Sequence, residues 1–175
     1  YAIGGGVAAG EMVILAARPS HGKSAVGLQA IHSATAAGIP AVLVSEEMSA
    51  IALGKRTIQF ATDTHEEHWR DQADQVRGSL DAHFARRATC RVVEGCGTAK
   101  AACDEIRRSV DEDGARLAVV DYAQLLRSDG RGRYEQVTNT SIALRQVVNE
   151  TGIVLLLLAQ LSRSIEGRPS FTPMM

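Results

Sequence analysis

Short apolar runs alternate with longer stretches of helical periodicity along this chain. Met12 to Leu15 is an apolar run that stops at Arg18-Pro19, the length of a buried strand punctuated by proline. From Lys23, the residues Val26, Ala30, Ile31 and Ala34 recur at helical spacing until Gly38 and Pro40 end the segment. Ala41 to Ser45 is a second buried-type strand, followed by a helix from about Ser49 to Ala61. Residues 62–88 are polar and predict one or two surface helices, with Trp69 and Phe84 as anchors. Cys90 to Glu94 is a third strand. Ala102, Ile106 and Val110 then mark one face of a helix from Thr98 to Glu112, closed by Gly114. Leu117 to Asp121 is a fourth strand ending in an acid. "RSDGRGR", from Arg127 to Arg133, reads as a loop. Val137, Ser141, Leu144 and Val148 line a last helix closed by Gly152, and Ile153 to Gln160 is a fifth strand.

Five apolar strands alternating with helices predict an α/β fold, with a mostly parallel central sheet and helices on both faces. There is no internal repeat and no low-complexity linker, so residues 1–175 read as one domain. Apolar residues make up 45% of the chain, which argues against disorder. The formal net charge of -1 supplies no global field for nucleic acid or an acidic membrane, so anion binding has to be local. Cys90, Cys96 and Cys103 have no zinc-like spacing and read as reduced thiols of a cytosolic protein. The longest strongly apolar run, Ile153 to Ala159, falls far below the ~20 residues of a membrane span.

The first strand-to-helix junction carries "ARPSHGKS", residues 17–24. It is one letter from the phosphate loop G-x-x-x-x-G-K-[ST]. In such a loop, backbone N–H groups and the helix N-terminus surround phosphates. Gly22 lets the backbone approach, Lys23 neutralises the outer phosphates, and the Ser24 hydroxyl suits Mg²⁺. Pro19 stiffens the turn. Ala17 stands where the usual loop has glycine. A positive φ there would strain alanine by roughly 1 kcal/mol, whereas a strand running on into the turn would cost nothing.

A nucleotide hydrolase also needs a carboxylate near the metal, and Asp121 ends an apolar strand as that role requires. Glu46 and Glu47 follow the second strand. Neighbours on an extended chain point apart, so one of the two faces the nucleotide as a water-activating group. Gln160 ends the fifth strand in the same layer, where an amide could touch the γ-phosphate or be an ordinary polar strand end.

Four stretches, "GEMVILAARPSHGKSA", "VLVSEEMS", "LAVVDYAQLL" and "VLLLLAQLSRSIEGRP", come in this order and resemble the C-terminal ATPase domain of DnaB-type replicative DNA helicases, phage versions included. The resemblance covers nearly the whole chain and is weakest between residues 62 and 100. That family commonly has alanine where Ala17 stands, S-x-E-M where Ser45, Glu47 and Met48 stand, and Q-L-x-R-S at Gln160 to Ser164. It implies a RecA-like P-loop fold, a six-membered ring, Mg-ATP hydrolysis and 5′-to-3′ travel on single-stranded DNA. By position it implies a nucleotide loop of Arg18, Pro19, Ser20, His21, Gly22, Lys23, Ser24 and Ala25. It makes Glu47 the catalytic glutamate, Ser24 and Asp121 the metal side, and Gln160 the γ-phosphate sensor. Arg56 and Arg163 match family arginines of less definite role. The implied partners are single-stranded DNA, five further copies of the chain, and a helicase loader or primase, in the cytoplasm of a bacterial or phage-infected cell. The family's collar domain, linker helix and C-terminal strands with their trans-acting arginine finger have no counterpart in these 175 residues. On this reading the chain is a fragment that binds nucleotide better than it turns it over.

Aromatic residues are only 4%, too few for a base-stacking platform. Arg127, Arg131 and Arg133 are the candidates for tracking DNA phosphates, against the alternative of a solvated surface loop. Two competing functions stand beside the motor: a RecA- or KaiC-like ATPase that is not a helicase, and a nucleotide-binding module without turnover of its own.

Overall fold

The computed structural model describes residues 6–161. Five strands, β1 (Met12–Ala17), β2 (Ala41–Ser45), β3 (Cys90–Glu94), β4 (Leu117–Asp121) and β5 (Val154–Gln160), form one sheet in the order β1-β5-β4-β2-β3. Every pairing in it is parallel. The helices are α1 (Lys23–Ala36), α2 (Ala50–Thr62), α3 (Ala73–Phe84), α4 (Ala99–Asp113) and α5 (Arg133–Thr151). Single 3-10 turns occupy Glu66–His68 and Ala123–Leu125.

The strand order explains the layering. From β1 through β2 to β3 the chain steps in one direction across the sheet, and from β3 through β4 to β5 it steps back. Right-handed crossovers place helices on one face during the outward steps and on the other during the return. The core divides that way. Leu28 and Ile31 of α1 and Leu53 of α2 pack with Leu43, Val119 and Leu158. Ala102 and Ile106 of α4 and Leu144, Val147 and Val148 of α5 pack with Val42, Val44, Val120, Leu155 and Leu157. Successive strand residues therefore enter opposite cores, and the strands read as continuous apolar runs because both faces are covered. Truncating one of the fully buried leucines, such as Leu155, would cost about 2–5 kcal/mol.

Three sequence expectations change. The buried face of α1 is Lys23, Gly27, Leu28, Ile31, His32 and Thr35, while Val26 is 47% exposed. Gly27 is needed because a Cβ there would stand 2.9 Å from Leu158 Cδ1 and 3.2 Å from Val119 Cγ1. The apolar letters alone miss this face, since its spacing includes a glycine and three polar residues, Lys23, His32 and Thr35. Phe84 is 55% exposed and edges onto the His83 ring instead of anchoring the segment to the core. Trp69 is half-buried, its Nε1 donating to the Thr64 carbonyl at 3.0 Å. The segment from Arg127 to Arg133 is not loop throughout: Arg127 bridges to Thr98 in parallel register, and Arg133 opens α5.

His32 is buried on α1 with its ring stacked on Phe60 at 4.6 Å, and the His83 ring meets it edge-on. Burial, and then the positive charges of His83 and Arg87, push the His32 pKa down to about 4. An unfolded histidine titrates near 6.5. Between those values the unfolded chain binds more protons, so stability rises with pH there and falls as pH drops from about 6.5 toward 4. Urea denaturation at pH 7.5 and pH 5 should show this loss, and His32→Phe should reduce it. An unchanged pH slope in the variant would exclude His32 as its source.

Candidate functional site

Parallel strands deliver their carboxyl ends to one edge, and the predicted site residues gather there. β1 runs unbroken to Ala17, which pairs with Gln160 of β5, and the Ala17 carbonyl accepts from the Leu161 N–H at 2.9 Å. Ala17 is absent from the positive-φ residues, so strand conformation makes alanine free of strain at this position. The turn that follows takes the special backbone instead at Ser20 (φ 63) and Gly22 (φ 77). Gly22 is the N-cap of α1 and no side chain caps the helix. The first N–H groups of α1 therefore face the cleft without intrahelical partners, the arrangement that receives an anion.

Lys23 sits at the centre. It is 8% exposed, and its Nζ lies 2.8 Å from Asp121 Oδ1 and 3.6 Å from Glu47 Oε2. The Tyr122 ring centroid is 3.6 Å from the same ammonium, close enough for a cation–π contact. The Asp121 contact is out of line for a hydrogen bond, so Lys23 Nζ and Asp121 Oδ1 are both buried without one. Such orphans are costly and call for a further partner. Burial, with Glu47 as the next cause, raises the Tyr122 pKa. The Asp121–Tyr122 peptide is cis.

The two glutamates after β2 diverge. Glu47 is half-exposed and faces Lys23. Glu46 turns the other way, its Oε2 accepting the Gly97 N–H at 3.0 Å while its own N–H donates to the Asp121 carbonyl at 2.7 Å. The Ser45 hydroxyl donates to the Met48 carbonyl and accepts the Met48 N–H, folding the chain so that successive residues separate.

A cleft of about 670 Å³ opens over Lys23. Arg18, Pro19, Ser20, Gly22, Ser24 and Ala25 line its loop side, and Glu47, Arg56 and Gln160 line the rest. His21 is not part of the lining; its Nδ1 donates to the Pro19 carbonyl at 2.9 Å. Gln29, Gln59 and Phe60 line the cleft although nothing in the sequence reading singled them out. Their signal was only a position on helices that flank the loop. Arg127, Arg131 and Arg133 do not line it, although the charge of Arg133 acts on Tyr122 beside Lys23. The Arg127 Nε and N–H both donate to the Gly97 carbonyl, and the Arg131 N–H donates to Glu135. Arg163 lies outside the described residues.

The residues suit a metal carried in with phosphate. Ser24 and Asp121 offer one hydroxyl and one carboxylate, and Mg²⁺ characteristically takes few protein ligands beside phosphate oxygens. Among the described residues no three His, Cys, Asp or Glu side chains cluster as a self-sufficient metal site.

Comparison with known proteins agrees with this geometry. Residues 2–175 match the sequence profile of the DnaB-like helicase C terminal domain. The chain belongs to that family. It is 30% identical to the replicative DNA helicase DnaB of Geobacillus stearothermophilus over 94% of its length, and equally to the replicative DNA helicase DnaC of Bacillus subtilis. It spans 38% of each of those proteins. Among solved structures, a DnaB-like replicative helicase, described together with its interactions with primase, superposes with a TM-score of 0.80 at 26% identity. That match covers 96% of this DnaB-like chain and 43% of the other. A KaiC-like protein of Pyrococcus horikoshii shares the fold, with a TM-score of 0.62 at 18% identity over 87% of this chain and 62% of its own. The fold is thus RecA-like, as the resemblance implied. No helix among the described residues is long and apolar enough to cross a membrane.

The strand conformation of Ala17 yields a direct prediction. Ala17→Gly, which restores the usual first glycine of the loop, should destabilise by about 0.5–1 kcal/mol through backbone entropy. A stabilised variant in urea titration would show that the turn begins one residue earlier.

Proposed function

We propose that this chain is the ATPase motor portion of a replicative DNA helicase, binding Mg-ATP and coupling its hydrolysis to movement along single-stranded DNA. The observation that carries this reading is the buried Lys23 held between Asp121 and Glu47 at the mouth of an uncapped helix. When nucleotide enters, Lys23 Nζ exchanges its misaligned contact with Asp121 for phosphate oxygens, and the α1 N–H groups hold the remainder. Ser24 and Asp121 are the residues that would hold Mg²⁺, which when bound neutralises phosphate charge. Glu47 is placed to orient water or accept its proton, and its exposed carboxylate faces the cleft. Gln160 contacts the outer phosphate. Arg56 supplies a second positive charge from α2.

Arg127, Arg131 and Arg133 remain the candidates for following a DNA backbone. They stand on the segment that leads directly away from Asp121, so a change at the acid reaches them through few residues. Assembly into a six-membered ring, 5′-to-3′ polarity, a trans-acting arginine, and contact with a loader or primase are supported by family membership alone. The competing reading is a RecA- or KaiC-like ATPase that is not a helicase; a KaiC-like protein shares the fold, and the DNA response separates that reading from the motor.

The test is the ATP turnover of the purified chain with and without single-stranded DNA, together with its mass in solution. DNA-stimulated turnover by a ring-sized assembly is expected of the motor. A monomer that binds ATP with no turnover under either condition would contradict it for this chain. Within the site, Lys23→Ala should weaken ATP affinity at least tenfold. Glu47→Ala should abolish hydrolysis while sparing binding, and Glu46→Ala should leave the chemistry largely intact. Loss of hydrolysis in Glu46→Ala alone would reverse the assignment of the two acids.

A further inference from the structure

β4 ends at Asp121, but its neighbour β5 continues to Gln160. Their register is paired only as far as Val120 with Leu157. The last residue of β5 therefore has no β4 backbone beside it. On the β1 side its strand is paired in register with Ala17, yet its own N–H and carbonyl point the other way. Both are met by one side chain from the 3-10 turn after β4. Gln124 Oε1 accepts the Gln160 N–H at 3.1 Å, and Gln124 Nε2 donates to the Gln160 carbonyl at 3.0 Å. The carboxamide acts as the peptide group that β4 does not provide, satisfying two backbone groups that would otherwise be orphaned at the floor of the cleft.

We propose that Gln124 is a positioning residue for Gln160: its paired hydrogen bonds fix the backbone from which the Gln160 side chain enters the nucleotide cleft. The proposal rests on the reading of Gln160 as the group that meets the outer phosphate. It follows from the geometry because a side chain can report a phosphate only if its own backbone is held, and here the last turn of strand is held on one side by a single replaceable amide. Gln124 also ties that backbone to the segment carrying Asp121 at one end and Arg127 at the other. The Arg127 end is itself fastened to the Gly97 carbonyl, and the Gly97 N–H to Glu46. An amide at position 124 thus joins the end of β5 to the end of β4 where the sheet no longer does so.

The decisive substitution is Gln124→Met, which removes both hydrogen bonds at nearly constant volume. The readouts are the affinities for ADP and for a non-hydrolysable ATP analogue, with thermal stability measured alongside. The parent chain should prefer the ATP analogue. Gln160→Ala should reduce that preference about tenfold, and Gln124→Met should reduce it to a similar extent. ADP affinity in Gln124→Met should stay within about twofold of the parent. An unchanged preference in Gln124→Met overturns the proposal, and so does a loss of ADP affinity and of thermal stability in parallel, which marks a structural role only. Gln124→Ala is read in the same way if the methionine variant fails to fold, and failure of both to fold likewise overturns the positioning role. Failure of the functional reading looks different. A parent that binds neither nucleotide, or whose affinity Lys23→Ala leaves unchanged, removes the site itself and the proposal with it. A parent that binds both nucleotides equally removes the role of Gln160 and overturns the proposal on its own.

Discussion

A lysine ammonium buried among two carboxylates and an aromatic ring is the constraint on which the rest of the site depends. Lys23 opens α1, Glu47 follows β2 and Asp121 ends β4, so one cation ties three elements together at the carboxyl edge of the sheet. Burying the charge of Lys23 carries a desolvation cost of several kcal/mol unless it is well paired. The pairing seen is close but misaligned, leaving hydrogen-bonding capacity on both Lys23 and Asp121. An arrangement of that kind is poised for an anion on the lysine and a cation on the aspartate, and Mg-phosphate brings both at once.

The sheet makes this possible by geometry. All five strands are parallel, so every strand ends on the same side, and β4 and β5 stand between β1 and β2. The reversal, after β3, of the direction in which strands are added across the sheet sends helices to both faces and leaves the carboxyl edge open. Beyond the last paired residues, side chains take over the work of the ladder. Gln124 closes the gap beside Gln160, Glu46 fastens the Gly97 turn, and Ser45 shapes the bend that separates Glu46 from Glu47.

Much of this was legible in the sequence because the signals were local. Strand runs such as Val119 and Val120, glycine stops at Gly38, Gly114 and Gly152, and the loop letters around Lys23 each depend on a few neighbouring residues. The central strands are buried on both faces, so their apolar runs are continuous and hard to misread. What escaped was set by contacts distant in sequence. The buried face of α1 includes His32 and Thr35 because α2, α3 and the segment after α3 supply Phe60, His83 and Arg87 around them. Phe84 reads as an anchor by its chemistry, but only packing decides that it stays half outside. Gln124 carries no motif; its meaning lies in β4 stopping while β5 goes on. Residue chemistry alone left Glu46 and Glu47 open and the family resemblance chose Glu47; what holds Glu46 away from Lys23 is the Gly97 N–H, 51 residues along the chain.

On the proposed function, Lys23 gives up Asp121 for phosphate. A crystal structure of the chain with Mg²⁺ and a non-hydrolysable ATP analogue tests it most directly. The expected result is a Lys23 Nζ hydrogen-bonded to phosphate oxygens and well separated from Asp121 Oδ1, with the 2.8 Å contact gone. Nucleotide bound elsewhere, or bound in the cleft with that contact intact, would contradict the account.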